Sequence, residues 1–333
     1  MSKLKKSMTR FNQRIDETIS PELSRWQRLR IYIDYRWERL RHGIVLSNYF
    51  EYEFYGRNQW GRRQFACNRE GKLIYRVCNP EKDRYLTGDK AVFNRRFSKY
   101  LNRRWLDTAT CTYEEFCAFL DSTDAFFIKP AKSERGIGNA VVKSADITDR
   151  AAAFQEYVRL QIDMEELIHQ HAELAEFNPT SVNTLRVVTL RDARETVHVM
   201  AGVLRMGAPG SVVDNFHNHG ICAVIDVDTG IVRSRGMDYE HNYYVTHPGS
   251  DKPIVGFRVP YWDNVVELVK ETALLLPELR YIGWDISVGE QGELYLVEGN
   301  STPDTDVTQA PEQVGKWAQY KPLIEELAKT LNR

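Results

Sequence analysis

The sequence has few cysteines and no long apolar run. Its five cysteines form no Cys-X-X-Cys pair and have no histidine at zinc-finger spacing, which argues against a disulfide framework and against structural zinc. No segment approaches the roughly 18 to 20 apolar residues of a membrane span, and no apolar core follows the basic residues 1–10. We therefore expect a cytoplasmic protein, with peripheral contact at the inner membrane face as an alternative.

Two common nucleotide-binding signatures are also missing. The pattern GxxxxGK[ST] is absent, and the third glycine position after Gly136 and Gly138 is occupied by Val141. These absences argue against a P-loop NTPase and against a Rossmann dehydrogenase. The chain also has no internal repeat and no long Gly/Ser linker, so we expect its domains to be packed together.

The charge of the chain is strongly segregated. Residues 1–105 carry 25 Lys+Arg and 11 Asp+Glu, whereas residues 106–333 carry 20 and 35, which together give the formal net charge of -1. The 333 residues, 42% of them hydrophobic, are enough for roughly two or three domains with a sizeable core. The basic first third is expected to seek anionic surfaces.

Residues 21–44 have the apolar spacing of one long basic helix. Large apolar side chains recur there at steps of three or four, with arginines between them: Trp26, Leu29, Ile33, Trp37, Leu40 and Ile44. We expect this apolar face to pack on the rest of the protein; the alternative is adhesion to an anionic membrane or a polyanion. Further along, residues 64–78 are predicted to form short strands around a turn at Glu70-Gly71.

The central and C-terminal parts alternate between helical and strand patterns. Thr112 and Glu115 have capping-box spacing for a helix that ends near Ser122. Strands are predicted at 125–128, 140–142, 184–191, 196–205 and 221–227, helices at 148–161 and 262–276, a hairpin at 282–299, and a helical end from about residue 311.

The hairpin contains two acidic residues that face each other. If Gln291-Gly292 forms a two-residue turn, Asp285 lies opposite Glu298, and period-two alternation places Asn300 on the same face. Because like charges across a sheet are destabilising, this arrangement calls for a cation. Oxygen ligands favour Mg²⁺ or Mn²⁺ over zinc. An exposed hairpin in another register is the alternative.

Lys129 ends a short apolar strand and is followed by a loop that contains Gly136 and Gly138. Free backbone amides in such a loop can bind phosphate. Taken alone, this pattern is more typical of an ordinary surface loop than of a phosphate site.

The order of these motifs resembles that of the ATP-grasp superfamily, from about Asp89 to the C-terminus. The residues that carry the resemblance are Asp89-Lys90, Lys129 with its glycine loop, Met164 to Ile168, Arg186, Arg205, Asn215, Asp285, Glu298 and Asn300. The run from Gln170 to Thr189, together with Trp284-Asp285 and Glu298-Gly299-Asn300, is similar to the sugar-transfer-associated ATP-grasp proteins, which are predicted to act in cell-surface polysaccharide assembly.

The resemblance implies an α+β ATP-grasp fold in which two lobes sandwich ATP. A basic N-terminal region, residues 1–88, would precede a small lobe at 89–175 and a large lobe at 176–333. The implied nucleotide ligands are Lys90 and Lys129 on the phosphates, a lid that includes Ser133, Gly136 and Gly138, an adenine hinge at Glu165, Glu166, Leu167 and Ile168, and Glu173 on the ribose, with Glu176 as the alternative.

The resemblance also implies the catalytic and metal-binding residues. Arg186 and Arg205, with Lys129, would neutralise phosphate and acyl-phosphate charge, and structural salt bridges are the alternative for the two arginines. Asp285, Glu298 and Asn300 would hold Mg²⁺, and Asn215 and His217 would lie on the substrate side. The two His-X-His sequences at 169–171 and 217–219 are not expected to bind metal, and Cys222 is expected to be a core residue.

The implied activity is ATP-dependent carboxylate-amine ligation through an acyl phosphate. The substrate would be an amino acid, a peptide or a uronic-acid-type saccharide carboxylate, together with an amine nucleophile. One alternative is a phosphotransferase acting on a small molecule, and another is a catalytically silent protein that docks on a membrane or a polyanion. No RNA-binding motif is present, so nucleic acid is not an expected partner. The N-terminal region departs from the familiar domain that precedes the ATP-grasp fold, and the oligomeric state is left open.

Overall fold

The N-terminal region is helical. The computed structural model describes residues 3–130 and 139–331 of the chain. Within residues 3–101, the α-helices are α1 (Lys3–Thr18), α2 (Arg25–His42), α3 (Leu46–Glu51), α4 (Gln59–Arg62), α5 (Asn68–Cys78), α6 (Tyr85–Gly88), α7 (Lys90–Arg96) and α8 (Ser98–Leu101).

A four-stranded antiparallel sheet follows, in the order β1-β4-β2-β3. Its strands and its two helices are β1 (Trp105–Asp107), α9 (Tyr113–Asp121), β2 (Ala125–Pro130), β3 (Ala140–Lys143), α10 (Arg150–Leu160) and β4 (Ile162–Glu166). The α9 helix has the predicted capping box, in which Thr112 and Glu115 bond to each other's backbone N–H. Phe116 of α9 and Met164 of β4 lie in one apolar core, so α9 and α10 cover one face of this sheet.

A second antiparallel sheet has seven strands in the order β11-β10-β5-β6-β7-β8-β9. The elements of this part of the chain are α11 (Ala172–Ala175), β5 (Leu185–Arg191), β6 (Val197–Met206), β7 (Ile221–Ile225), β8 (Gly236–Met237), β9 (Tyr243–Tyr244), α12 (Trp262–Leu274), β10 (Tyr281–Val288), β11 (Leu294–Asn300) and α13 (Trp317–Leu331). The predicted elements from residue 112 onward are therefore confirmed, with boundaries that differ by a few residues.

Side chains along β5 and β10 point alternately to the two faces of the large sheet, and helices cover both faces. Val187 and Trp284 point to the face covered by α12 and by α7 and α8. On the opposite face, Val188 packs near α5 and α13, and Val203 packs near α1 to α3. We call this second side the N-terminal face, because the N-terminal helices cover most of it.

The predicted strands at 64–78 are wrong, since this segment contains α5. The Glu70 carboxylate accepts a hydrogen bond from the Cys67 N–H at 3.1 Å and so caps the start of the helix. Ile74 and Cys78 are buried one turn apart against α13. Helical packing of this apolar pair outweighs the cost of about 1 kcal/mol for Gly71 inside a helix.

The long basic helix is confirmed, but the expected packing of its apolar face is wrong. Ser24 and Gln27 form a capping box at the start of α2, and Gly43 ends the helix with φ +68. The buried residues of α2 are Tyr35 and Glu38. The predicted apolar residues point outward and are exposed, with Ile44 as the buried exception: Trp26, Leu29, Ile33, Trp37 and Leu40.

Candidate active site

A row of charged residues crosses the N-terminal face of the large sheet. Asp285 in β10 is paired with Arg186 of β5 on one side and with Glu298 of β11 on the other. Trp284 and Ile286 alternate with Asp285 and point into the core on the α12 side. The cross-strand pairing therefore places three charged side chains next to one another above an apolar layer.

The opposition of Asp285 and Glu298 is confirmed, although the predicted two-residue turn is wrong. Near the turn, Val288 pairs with Leu294, and the Gly289 N–H bonds to the Glu293 carbonyl at 2.8 Å, which leaves a three-residue turn. A β-bulge beside Asp285 then shifts the register by one residue. The turn has one residue more than predicted on the β10 side, and the bulge adds one residue on the β11 side. Asp285 therefore still lies opposite Glu298.

Asp285 is held by two arginines. Arg186 donates to both of its carboxylate oxygens, with Nη2 to Oδ2 at 2.9 Å, and Arg205 Nη1 donates to the same Oδ2 at 2.7 Å. Arg205 also reaches Asp214 at 3.2 Å, and Asp214 accepts from the Thr184 N–H at 2.9 Å and from its hydroxyl. Both arginines are therefore paired with carboxylates, as the alternative of structural salt bridges predicts. The paired residues Arg186, Arg205 and Asp285 are nevertheless the ones that the sequence singles out as candidate site residues.

The charged groups of this cluster shift one another's pKa values. Burial opposes ionisation of Asp285, but Arg186 and Arg205 outweigh it and hold its pKa well below the usual range. Burial disfavours the charged forms of both guanidinium groups as well, yet Asp285 and Asp214 raise their pKa values. For Glu298, desolvation and the like charge of Asp285 raise the pKa. Glu298 is therefore the carboxylate of this cluster that most needs an additional cation.

A second charged cluster lies on the small sheet. Glu165 in β4 accepts a hydrogen bond from Lys129 Nζ of β2 at 2.7 Å and another from Arg103 Nε at 2.9 Å. Burial would raise the pKa of Glu165, but these two cations outweigh it and lower the pKa to about 2. A permanently ionised Glu165 thus fixes the position of the Lys129 ammonium group.

Lys90 and Arg103 connect the two clusters. Burial and the nearby Lys129 lower the pKa of Lys90, whereas Asp163, Glu165 and Glu298 act in the opposite direction. The charges of carboxylates in both sheets therefore act on Lys90. Arg103 bonds to Glu165 in the small sheet and donates to the Leu296 and Val297 carbonyls of β11 at 2.8 and 3.2 Å. Together the clusters form one charged site between the sheets.

The predicted adenine hinge is divided by the end of β4. Glu165 and Glu166 are paired within the sheet, and the carboxylate of Glu166 binds Arg104 at 2.8 Å. Leu167 and Ile168 come after the strand and are half-buried. The main chain of Glu165 is thus paired within the sheet and its side chain binds Lys129, whereas Leu167 and Ile168 lie beyond the end of the strand.

The other predicted ligands are distributed around this site. Glu173 is exposed in α11, whereas the alternative Glu176 forms an ion pair with Lys252. Asn300 follows Glu298 in β11, and its Oδ1 accepts from the Thr302 N–H at 2.8 Å. The Asn215 carbonyl accepts from Asn218 and Gly220 in a tight turn after Asp214. The side chain of His217 and the lid residues Ser133, Gly136 and Gly138 lie outside the described residues.

The donor set fits a hard divalent cation. Asp285 and Glu298 supply opposed carboxylates, and Asn300 adds an amide oxygen two residues further along the strand. The Glu298 side chain is 54% exposed and lies 3.9 Å from Arg186, so its carboxylate is open to a further cation. In the part of the chain that the structure describes, no three His, Cys, Asp or Glu residues form a metal cluster.

Two residues of the site were not predicted from the sequence. Arg103 is buried just before β1, and Asp163 lies in β4 two residues before Glu165, on the same face. Arg103 belongs to an Arg-Arg pair within a basic region, which gives no signal for a buried guanidinium. Asp163 was detectable, because Asp163 and Glu165 form a period-two pair of acids in a segment with strand spacing, and acids at such positions are rarely buried without partners. Cys222, by contrast, is a buried core residue as expected, and burial raises the pKa of its thiol to about 12.

The fold defines an ATP-grasp protein, in which charged residues lie between a small and a large antiparallel sheet. The model of the family described as sugar-transfer associated ATP-grasp matches residues 109–321, which is more than half of the chain. The chain therefore belongs to the sugar-transfer-associated ATP-grasp family.

Several solved structures of ligases are similar to this chain at low identity. The ATP-grasp ligase PsnB in complex with a minimal precursor is 14% identical, with a TM-score of 0.48 and coverage of 80% of this chain and 74% of that chain. D-alanyl-alanine synthetase A from Vibrio cholerae O1 biovar eltor str. N16961 is 13% identical, with a TM-score of 0.43 and coverage of 76% and 65%. No protein with a curated function matches the chain significantly.

Proposed function

We propose that this protein is an ATP-dependent carboxylate-amine ligase that works through an acyl phosphate. The observation that carries the proposal is the joining of two charged clusters into one site. Lys90 and Lys129 supply cations on the small sheet, while Arg186 and Arg205 surround a pair of carboxylates on the large sheet. Such a site has complementary groups for a polyphosphate, a divalent cation and an anionic intermediate.

In this proposal the lysines hold the nucleotide phosphates. Lys129 is fixed by Glu165, so its ammonium group is oriented before the nucleotide arrives and little side-chain entropy is lost on binding. The lowered pKa of Lys90 reflects burial and the second ammonium group, and phosphate oxygens would relieve both effects. The proposed adenine contacts are Leu167 and Ile168, and Glu173 is the proposed ribose ligand.

Asp285, Glu298 and Asn300 are the proposed ligands of Mg²⁺. When bound, Mg²⁺ would neutralise phosphate charge and orient the γ-phosphate for attack. Glu298 has to be ionised to act as a ligand, so metal affinity should fall as the pH is lowered through its raised pKa.

The proposed reaction has two steps. A carboxylate oxygen of the substrate attacks the γ-phosphorus, the bond to the β-phosphate oxygen breaks, and ADP leaves. An amine nitrogen then attacks the acyl carbon, inorganic phosphate leaves, and the nitrogen releases a proton. Arg205 and Arg186 would stabilise the developing negative charge from fixed positions beside Asp285. This role makes them catalytic residues, with Lys129 beside the transferred phosphoryl group.

The proposed acceptor is an amino acid, a peptide or a uronic-acid-type carboxylate, and a saccharide is favoured by the sugar-transfer association of the family. Asn215 and His217, which follow the Asp214 partner of Arg205, are the proposed substrate contacts. A phosphotransferase would use the same nucleotide site but would release a stable phosphorylated product.

The first experiment measures thermal stability with ATP and Mg²⁺. Because a ligand that binds only the folded state stabilises it by RT ln(1 + [L]/Kd), ligand at 100 times Kd should add about 2.7 kcal/mol. We expect the Mg²⁺-dependent part of the shift to be lost in Glu298→Gln. The matched control is Glu290→Gln, which removes an exposed acid from the turn of the same hairpin. An equal shift in both variants would exclude Glu298 as a metal ligand.

The second experiment tests the chemistry. Carboxylates of the proposed classes are incubated with the protein, ATP, Mg²⁺ and hydroxylamine, a small amine that captures acyl phosphates as hydroxamates. Formation of hydroxamate together with ADP supports the ligase. A phosphorylated product that persists in the presence of hydroxylamine would instead identify a phosphotransferase.

A further inference from the structure

The outward face of α2 carries an apolar stripe that nothing in the described structure covers. The side chains of Trp26, Leu29, Ile33, Trp37 and Leu40 are between 42% and 80% exposed. At 100° per residue they fall within an arc of about 80° on the helix. Most helices of a folded protein turn such a stripe toward the core, so its outward position points to a partner. We call these five residues the α2 stripe.

Arginines border the α2 stripe on both sides. The same 100° spacing places Arg25 and Arg36 along one edge, and Arg30 and Arg41 along the other. All four are exposed. The outer face of the helix therefore combines an apolar centre with two cationic margins.

Both acidic residues of α2 lie off the stripe and are paired with an arginine. Arg62 of α4 binds Asp34 at 2.8 Å and the fully buried Glu38 at 3.0 Å. Glu38 is therefore hidden from the outer face, and the partly exposed Asp34 is neutralised by Arg62.

The orientation of α2 is fixed by its inner face. Tyr35 is buried and stacks on Phe11 of α1, while the Tyr49 hydroxyl donates to Asp34 at 2.6 Å. Gln59 of α4 donates to Glu38 at 2.6 Å. A helix held by aromatic packing and by buried polar contacts cannot simply rotate its apolar stripe inward.

We propose that α2 docks this protein on an anionic lipid bilayer, with the α2 stripe inserted at the interface and the bordering arginines on the headgroups. A bilayer offers both chemistries that the face displays, namely apolar acyl chains and negatively charged headgroups. Tryptophan is well suited to this interfacial layer. In the described residues no helix is both long and apolar enough to cross a membrane, so the contact would be a surface contact.

Two other occupants fit this face less well. A second copy of the chain, paired through the same face around a two-fold axis, would bring its arginines against those of the first copy. A polyanion such as RNA or an acidic polysaccharide would satisfy the arginines but would leave the aliphatic residues of the stripe without an apolar partner. Charge complementarity and apolar burial together therefore favour the bilayer.

The test is flotation of the full-length protein with lipid vesicles. Vesicles of phosphatidylcholine with phosphatidylglycerol are compared with vesicles of pure phosphatidylcholine, at low and high salt. We expect binding to the anionic vesicles that weakens as salt is added, because headgroup attraction is screened. Trp26→Ala/Trp37→Ala should weaken binding by at least about tenfold, since two large apolar side chains no longer enter the interface.

The matched control is Trp60→Ala, which removes a tryptophan of 74% exposure that lies outside α2. This variant should bind as the unmodified protein does. Equal losses in Trp60→Ala and in the double variant, or no binding to anionic vesicles, would overturn the proposal. A dimer in solution that the double variant dissociates would also overturn it, in favour of self-association.

The membrane proposal does not depend on the proposed ligase activity. Vesicle binding is measured without nucleotide, and the thermal shift with ATP and Mg²⁺ is measured without vesicles. Trp26→Ala/Trp37→Ala should keep the full nucleotide-dependent shift, because both residues lie outside the charged site. Loss of that shift in the double variant would mean that the substitutions disturb the fold, and the vesicle result would then no longer support docking through α2.

Discussion

Two acids of one strand, Asp163 and Glu165, have opposite environments although they lie two residues apart on the same face of β4. Glu165 makes hydrogen bonds to Lys129 and Arg103, and its pKa falls to about 2. Burial raises the pKa of Asp163 to about 6, because Lys90 only partly offsets the loss of solvent. One carboxylate therefore anchors the lysine, and the other is buried in its ionised form at neutral pH.

Asp163→Asn should increase stability, and the gain should depend on pH. The folded pKa of Asp163 is raised, so between about pH 4 and pH 6 the folded state binds more protons than the unfolded state and stability falls as pH rises. The variant lacks this titration. We expect a gain on the order of 2 kcal/mol at pH 8 and almost none at pH 4, measured by urea unfolding.

The control for this prediction is Asp124→Asn, which removes an exposed aspartate just before β2. It should change the free energy of unfolding by less than about 0.5 kcal/mol at either pH. A loss of stability in Asp163→Asn at pH 8 would show that Lys90 or Lys129 depends on this carboxylate more than the burial of Asp163 costs.

At the scale of elements, Asn79 joins α5 to the strands of the site. Its side-chain amide donates to the carbonyls of Tyr281 and Ser301, and its Oδ1 accepts from the N–H groups of Arg280 and Tyr281 at 3.0 and 3.1 Å. The residue is fully buried. It thus ties the end of α5 to the start of β10 and to the segment just after β11.

Asn79→Ala should cost about 3 kcal/mol of stability, because four buried hydrogen bonds to backbone groups would be lost, although the Arg280 N–H keeps the Cys78 carbonyl as a second acceptor. The measurement is the midpoint of denaturant unfolding with an unchanged m-value. The matched control is Asn264→Ala on the exposed side of α12, which should be neutral or slightly stabilising. A loss below 1 kcal/mol in Asn79→Ala would mean that water replaces the amide.

The elements differ in how well the sequence predicted them. The α9 helix and the strands of the large sheet were predictable, because capping residues and apolar alternation are local signals. The α5 helix was missed, since Glu70-Gly71 is typical of a turn and the decisive contacts with α13 lie more than 200 residues away. The pairing of Asp285 with Glu298 was predicted through a turn that does not form, because a compensating bulge carries no signal of its own.

The orientation of α2 shows a second limit of prediction from the sequence. Hydrophobic periodicity predicted the helix, but it does not show which face is covered. The inner face is formed by Tyr35 and by Glu38 with its partner Arg62, which is a polar arrangement that periodicity counts as solvent-facing. The ion pair between Arg62 and Glu38, together with the packing of Tyr35 on Phe11, therefore holds the helix in this orientation.

At the scale of the whole molecule, the two sheets are joined through Arg103. Its guanidinium group is buried, and it spans Glu165 of the small sheet and two carbonyls of β11. Arg103 and Glu165 are 62 residues apart in the chain. Such a contact cannot be predicted from local patterns, although the lysines, arginines and acids on either side of it were identified as site residues.

Arg103→Ala should loosen the small sheet relative to the large one. Removing one partner of a buried ion pair costs about 3 kcal/mol or more, and the β11 carbonyls would also lose their donor. We expect amide hydrogen exchange in β1 and β4 to accelerate at least about tenfold while β5 and β6 keep their protection.

The neighbouring Arg104→Ala is the matched control, because Arg104 binds Glu166 in a half-exposed ion pair and donates to Ser122 and Thr123, but has no partner in β11 among its described side-chain contacts. Exposed pairs of this kind contribute about 1 kcal/mol or less. Uniform acceleration of exchange across both sheets in Arg103→Ala would indicate global destabilisation, and the two sheets would then have to be regarded as one cooperative unit.

The charge asymmetry of the chain has a consequence for motion in solution. The basic helices α1 to α5 form a layer on one side of the large sheet, while most of the acidic residues lie in the later part of the chain. The molecule therefore carries an electric dipole. Near a negatively charged plane, within a Debye length of about 10 Å, the field would exert a torque on this dipole. Rotational diffusion would then be biased so that the N-terminal helices meet the plane first, before any contact forms.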